Sequence, residues 1–139
     1  MNNVFEPLFQ YGFHDTEFSS IEIDGTEIKL RFDKGIYLLD ETGNETQLSK
    51  SAIVALKVAL QPFIEQVEQQ IEIKMVDEKC GDLEYSDLKK DLKKEPFEVF
   101  EVYFSPFNNT VLFTGSIGNK SVDLSIEGVQ NIQVLFKLE

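Results

Sequence analysis

The sequence predicts an α+β fold, mainly antiparallel β, with about eight or nine strands and one short helix near 86–94. A curved sheet, a sandwich or a partly open barrel fits this content. Three observations carry the prediction. First, Phe97 to Leu138 reads as four antiparallel strands in sequence: FEVFEVYF, TVLFTGSI, KSVDLSIE and NIQVLFKL. Second, Gly118-Asn119 and Asp24-Gly25 are two-residue hairpin turn signals. Third, SDLKKDLKKE is the clearest helical pattern in the chain.

The Gly118-Asn119 turn sets a register by itself. Pairing outward from it apposes Ile117 with Lys120, Gly115 with Val122, Phe113 with Leu124 and Val111 with Ile126. The other parity apposes Ser116 with Ser121, Thr114 with Asp123 and Leu112 with Ser125. One face is almost wholly apolar, so a one-residue slip would set apolar side chains against polar ones.

Residues 1–16 hold Phe5, Phe9, Tyr11 and Phe13, with Pro7 and Gly12 between them. They read as an arm or a short helical turn lying across a sheet, since Pro and Gly oppose a long helix. EFSSIEID (17–24) is a strand with Phe18 out of phase with Ile21 and Ile23, which predicts a bulge at Ser19-Ser20. A turn at Asp24-Gly25 then apposes Ile21 with Ile28. TEIKLRFD alternates, with Ile28, Leu30 and Phe32 inward. Lys34-Gly35 turns into a third strand, IYLLD, followed by a loop at Glu41–Thr46.

SKSAIVALKVAL (49–60) fits a helix or a strand. The strict period of two in Val54, Leu56, Val58 and Leu60 favours strand. Pro62 ends it, and FIEQVEQ makes a helical turn or an excursion between strands. QIEIKMV is a strand, DEKCGDLE (77–84) an acidic loop, and Ser86 the expected N-cap of the helix that Pro96 stops. The expected core is Ile21, Ile28, Leu30, Phe32, Leu56, Ile73, Phe100, Val102, Val111, Phe113, Val122, Leu124, Ile126, Val134 and Phe136.

A chain of 139 residues suits a single domain spanning 1–139 with a real core. The formal charge is −12, from 25 acids against 13 bases. Such a field repels phosphate backbones, which argues against nucleic acid and suits a basic protein partner; it also serves plain solubility. The lone Cys80 makes no internal disulfide, the N-terminus lacks the pattern of a signal peptide, and no apolar run is long enough to span a membrane. A cytoplasmic protein is expected.

No motif points to catalysis or to a cofactor. His14-Asp15 resembles half of a metal site, but His14 is the only histidine, so no metal is expected. The local alternative has Asp15 capping a turn and His14 packed under the aromatic arm. The acidic loop fails as an EF-hand, because Lys79 takes the third position and Gly81 the fifth. Nothing in the sequence brings Cys80 to His14 as a thiol–imidazole dyad. There is no G-x-S-x-G, Walker A or G-x-G-x-x-G pattern. Lys89, Lys90, Lys93 and Lys94 alternate with Asp87, Asp91 and Glu95, which predicts i,i+4 pairs on a solvated face.

The segments FHDTEFSSIEIDG, GIYLLDETGNETQLSKS and VLFTGSIGNKSVDLSIEGV follow one another in an order that resembles a group of small uncharacterised bacterial proteins. The resemblance carries no catalytic residue. Comparable small acidic β-rich proteins include immunity proteins that neutralise a toxin, so it implies an immunity-like role by analogy. Two classes of function follow. One is a non-catalytic binding protein with an acidic contact surface, for which Asp40 and Glu41 after the third strand, and Asp77, Glu78, Asp82 and Glu84 before the helix, are the candidate partner-binding residues. The other is a small-ligand-binding barrel or a weakly catalytic domain.

Overall fold

The computed structural model describes residues 3–76 and 81–139, and among them thirteen strands and one α-helix form three antiparallel sheets. The largest has the order β2 (Glu17–Phe18), β10 (Phe97–Ser105), β11 (Thr110–Ile117), β12 (Lys120–Ile126), β8 (Ile71–Met75), β9 (Gly81–Leu83). The second has the order β13 (Val129–Lys137), β7 (Ser51–Val58), β4 (Glu27–Phe32), β3 (Ser20–Asp24). A small third sheet joins β1 (Tyr11–Gly12), β5 (Tyr37–Leu39) and β6 (Glu45–Leu48). None of the sheets closes into a barrel, and the architecture is that of an α+β sandwich.

The strand count exceeds the expected eight or nine for local reasons. The stretch 17–24 divides at Ser19, where the chain leaves the six-stranded sheet for the four-stranded one. Ser19 N–H donates to the Arg31 carbonyl at 2.9 Å while Ser20 pairs with the same residue, which is the expected bulge. That extra residue lets Phe18 and Ile21 both face inward despite their opposite parity. β9 forms inside the segment 77–84 expected to be a loop, and β6 begins within the loop expected at Glu41–Thr46 and runs on to Leu48.

The β11–β12 register is the one the Gly118-Asn119 turn dictates, from Ile117 opposite Lys120 to Val111 opposite Ile126. Gly118 has φ +61°, and Asn119 stays on the negative side. The Asp24-Gly25 turn is displaced by one residue: Asp24 pairs with Glu27, Gly25 and Thr26 form the loop, and Ile21 faces Leu30 rather than Ile28. The slip changes the register by two, so every side chain keeps its face. Residues 51–58 are a strand with Ala52, Val54, Leu56 and Val58 inward. The last strand of the chain does not continue the β10–β12 ladder. β13 crosses to the other sheet and pairs with β7.

One contiguous core lies between the sheets. Phe18 is its hub: it stacks on Phe97 at 4.7 Å between ring centroids and meets Phe32 of the facing sheet edge-on at 5.6 Å. Fully burying each such ring contributes about 1.5–3 kcal/mol. Eleven of the expected core residues are buried, and four are corrected. Phe100 is 41% exposed because it is the extra residue of a bulge between Val99 and Glu101. The bulge lets Phe97 and Val99 face inward before it and leaves Val102 half-buried after it. Phe136 (39% exposed) and the half-buried Val134 lie on β13, an edge strand.

The helix, α1 (Tyr85–Leu92), starts one residue before the expected 86, and its N-cap moves by two, from Ser86 to Glu84. Glu84 accepts from the Asp87 N–H, and the Asp87 carboxylate accepts from the Glu84 N–H at 3.3 Å, a capping box that satisfies two orphan donors. The earlier start places Tyr85 on the helix, where its hydroxyl donates to the Ile21 carbonyl at 3.1 Å. Leu88 and Leu92 are buried at i, i+4. The expected i,i+4 ion pairs do not form, because that spacing sets like charges together, Asp87 with Asp91, Lys89 with Lys93 and Lys90 with Lys94. Asp91 instead lies 3.7 Å from Lys120 of β12, and Lys89 sits over the Tyr85 ring.

Candidate functional site

The acidic candidates fall in two separate places. Asp40 and Glu41 begin the turn between β5 and β6, both exposed. Asp40 Oδ1 accepts from the Thr42 N–H (2.9 Å), the Asn44 N–H (2.9 Å) and the Thr42 hydroxyl (2.7 Å). These bonds favour the ionised form, the Thr42 hydroxyl foremost, and hold the Asp40 carboxyl below its ordinary value. Asp40 thus organises its own turn, while Glu41 projects beside it into solvent.

Asp82 and Glu84 belong to a different sheet's surroundings, on β9 at the edge of the six-stranded sheet and at the start of α1. Both are exposed, and Glu84 is engaged in the helix cap. Asp77, Glu78 and Cys80 lie outside the described residues. The structure therefore does not assemble the described candidates into one cluster. What they share is a display of charge: among the described residues, no aspartate or glutamate is buried.

His14 is not packed under the aromatic arm as expected. Its ring is exposed, because both nitrogens find polar partners at the surface. Nδ1 lies 2.9 Å from the Phe100 carbonyl, at the β10 bulge, and Nε2 lies 3.3 Å from Asp15 Oδ2. The Phe100 carbonyl, then the Asp15 charge, raise the imidazole pKa above its ordinary value. Asp15 adopts φ +61° in the turn that delivers the chain to β2. This arrangement favours imidazolium and leaves no free basic nitrogen aimed at a nucleophile.

His14 borders a groove of about 510 Å³ with Phe9, Phe13, Phe100, Phe104 and Glu101 among its walls. Phe104 packs against Phe5 at 5.2 Å and Phe9 at 5.3 Å between ring centroids. The Tyr103 hydroxyl donates to the Glu101 carboxylate, which raises the phenol pKa. The aromatic richness of residues 5–13 was a visible signal for this groove. Its other wall, built at the β10 bulge, had none, because FEVFEVYF alternates equally well in either phase.

Among the described residues, no group of three or more His, Cys, Asp or Glu is placed to hold a metal ion, and no helix is long and apolar enough to cross a membrane. Comparison of the chain with protein-family models, curated protein sequences and solved structures finds no match.

Proposed function

We propose that this chain is a non-catalytic binding protein whose acidic surface engages a basic protein partner. The observation that carries the reading is the −12 charge held entirely at the surface among the described residues, with no Asp or Glu drawn into the core. Burying even one carboxylate would require a paired partner, and among the described residues the fold spends no acid in that way. A field of this kind raises the encounter rate with a basic protein more than it deepens affinity. Neutralisation of a basic toxin, the immunity-like role, is one form this function takes.

The test is charge reversal at two exposed acids, with an unchanged melting temperature as the fold control, since Asp82 sits opposite Lys74 in the β8–β9 ladder. Glu41→Lys with Asp82→Lys leaves the Asp40 turn and the Glu84 cap intact. A basic partner recovered by pull-down at low salt should be lost at high salt. Its association with the double variant should slow about tenfold, with a flatter salt dependence. An unchanged association rate would remove these two acids from the contact. A turnover that survives the reversal would replace the binding reading with an enzymatic one.

A second reading rests on the groove beside His14. Its volume and aromatic walls suit a small apolar ligand bearing one polar group. A ligand held there would shift the His14 imidazole resonances, which a protein partner bound elsewhere would leave in place.

A further inference from the structure

Two turns at one end of the sandwich each carry a phenylalanine directly after a proline: Gln61-Pro62-Phe63-Ile64 and Ser105-Pro106-Phe107-Asn108. Phe63 is fully exposed at 104% and Phe107 is 79% exposed. Neither is displayed by a slack chain. The Ile64 N–H donates to the Gln61 carbonyl at 3.0 Å, closing a four-residue turn in which Pro62 sets φ at the second position. Phe63 then occupies the third position with φ +69°, where such a turn ordinarily takes Gly or Asn. Phe107 is followed by two left-handed residues, Asn108 (φ 57°) and Asn109 (φ 45°).

The two turns are tied into one unit. Gln70 is 1% exposed, and its Oε1 accepts from the Gln61 N–H at 2.7 Å. Its Nε2 donates to the Ala59 and Glu127 carbonyls, each at 2.9 Å. The Gly128 N–H donates to the Asn108 carbonyl at 2.7 Å, and the Ala59 N–H to the Gly128 carbonyl at 2.8 Å. Both phenylalanine turns are thereby fastened to the Glu127-Gly128 turn. An apolar ring held in water, on strained backbone, above a rigid polar clamp brings nothing to folding. Strain of this kind collects where the structure is set for an external contact, and a preorganised loop loses little entropy on binding.

The charge around the rings selects the occupant. Glu65, Glu68 and Glu127 flank them, no Lys or Arg occurs within 58–70, 105–110 or 126–130, and Lys89 of α1, which shares a pocket with Leu60, Glu65 and Glu68, leaves the set net acidic. An anionic bilayer is repelled by this set, whereas a protein pocket rimmed with Lys and Arg complements it. We propose that Phe63 and Phe107 are paired anchors that insert into apolar pockets of a basic-rimmed protein partner. The proposal rests on the reading of the chain as a binding protein and locates the contact at this end.

The test places p-benzoylphenylalanine at position 63, at 107, or at the exposed position 119 in the β11–β12 turn, at the far end of β11 from Phe107, as the control, in the full chain expressed in its host. The protein crosslinked from 63 and 107 is purified, and its kinetics are measured against the wild type, Phe63→Gly, Phe107→Ala and their double variant. The same protein should crosslink from both tips and not from 119. Phe63→Gly should weaken binding at least about tenfold and the double variant about a hundredfold or more, chiefly through faster dissociation. Phe63→Gly should keep or raise the melting temperature, because glycine accepts the left-handed turn. Equal affinity of the double variant overturns the proposal, as does unfolding of both single variants or absence of crosslinking from either tip. Phe-dependent uptake into phosphatidylcholine or phosphatidylglycerol vesicles overturns it in favour of a membrane. A captured protein that responds to Glu41→Lys with Asp82→Lys but not to the Phe variants overturns the anchors and leaves the acidic-surface reading standing.

Discussion

Gln70→Leu isolates the clamp beneath the two phenylalanine turns. Leucine keeps most of the side-chain volume, so the cavity contribution is small and the polar contribution dominates. Three hydrogen bonds disappear: those to the Gln61 N–H and to the Ala59 and Glu127 carbonyls. Each group left without a partner costs about 1–3 kcal/mol when buried. Ala59, Gln61 and Glu127 are all only partly buried, so water reaches these groups and offsets part of the loss. The net destabilisation is about 2–4 kcal/mol, out of the roughly 5–15 kcal/mol typical of a domain. An unfolding entropy of about 2.1 cal/mol/K per residue, roughly 0.29 kcal/mol/K for this chain, converts this to a fall in Tm of about 7–14 °C. Urea unfolding followed by circular dichroism reads the stability, with an unchanged m-value showing that the denatured state is unaltered. Native-state hydrogen exchange reads the loops directly, through lost protection at the amides of Ala59, Gln61 and Gly128. A Tm within about 2 °C of wild type, with those amides still protected, would refute the clamp.

Further outcomes concern His14, Gly115 and Gly118. His14 is the only histidine, so an NMR titration reports it alone; its pKa should lie above the ordinary 6.5 in the folded chain. Because the folded value is raised, its stabilisation is complete below 6.5 and is lost as pH rises through the folded value. Asp15→Asn should lower the value only in part, since the Phe100 carbonyl is the larger cause, and titration at or below 6.5 would contradict the geometry. Gly115→Ala should cost about 1–3 kcal/mol, because a Cβ there would lie 2.0 Å from the Glu98 carbonyl oxygen and 2.6 Å from the Phe97 ring. Gly118→Val meets only the mobile Glu95 carboxylate, yet should still cost about 1 kcal/mol or more for a β-branched residue at φ +61°. Unaltered melting of both variants would count against the β10–β11–β12 ladder.

Pattern and turn chemistry by themselves determined the antiparallel α+β class, the β11–β12 register and the inward parity of β4, and favoured without deciding the strand that β7 forms. The reason is that side-chain period and a two-residue turn are local properties, and a slip by one residue is heavily penalised when one face is buried. The helix between Tyr85 and Leu92 was legible for the same reason, apart from the one-residue shift that Tyr85 and the Glu84 cap decide. Only the tertiary structure decided which sheet each strand joins. The crossing at Ser19, the departure of β13 to pair with β7, and the bulge that turns Phe100 outward all depend on pairing between distant residues. The acidic candidates show the same division. Their charge is a property of composition, but their separation onto different sheets, and the fastening of Phe63 and Phe107 to one turn through Gln70, arise from contacts that no local pattern encodes. A hydrogen bond from Gln70 to the Glu127 carbonyl spans 57 residues, and its energy exists only once the chain has folded.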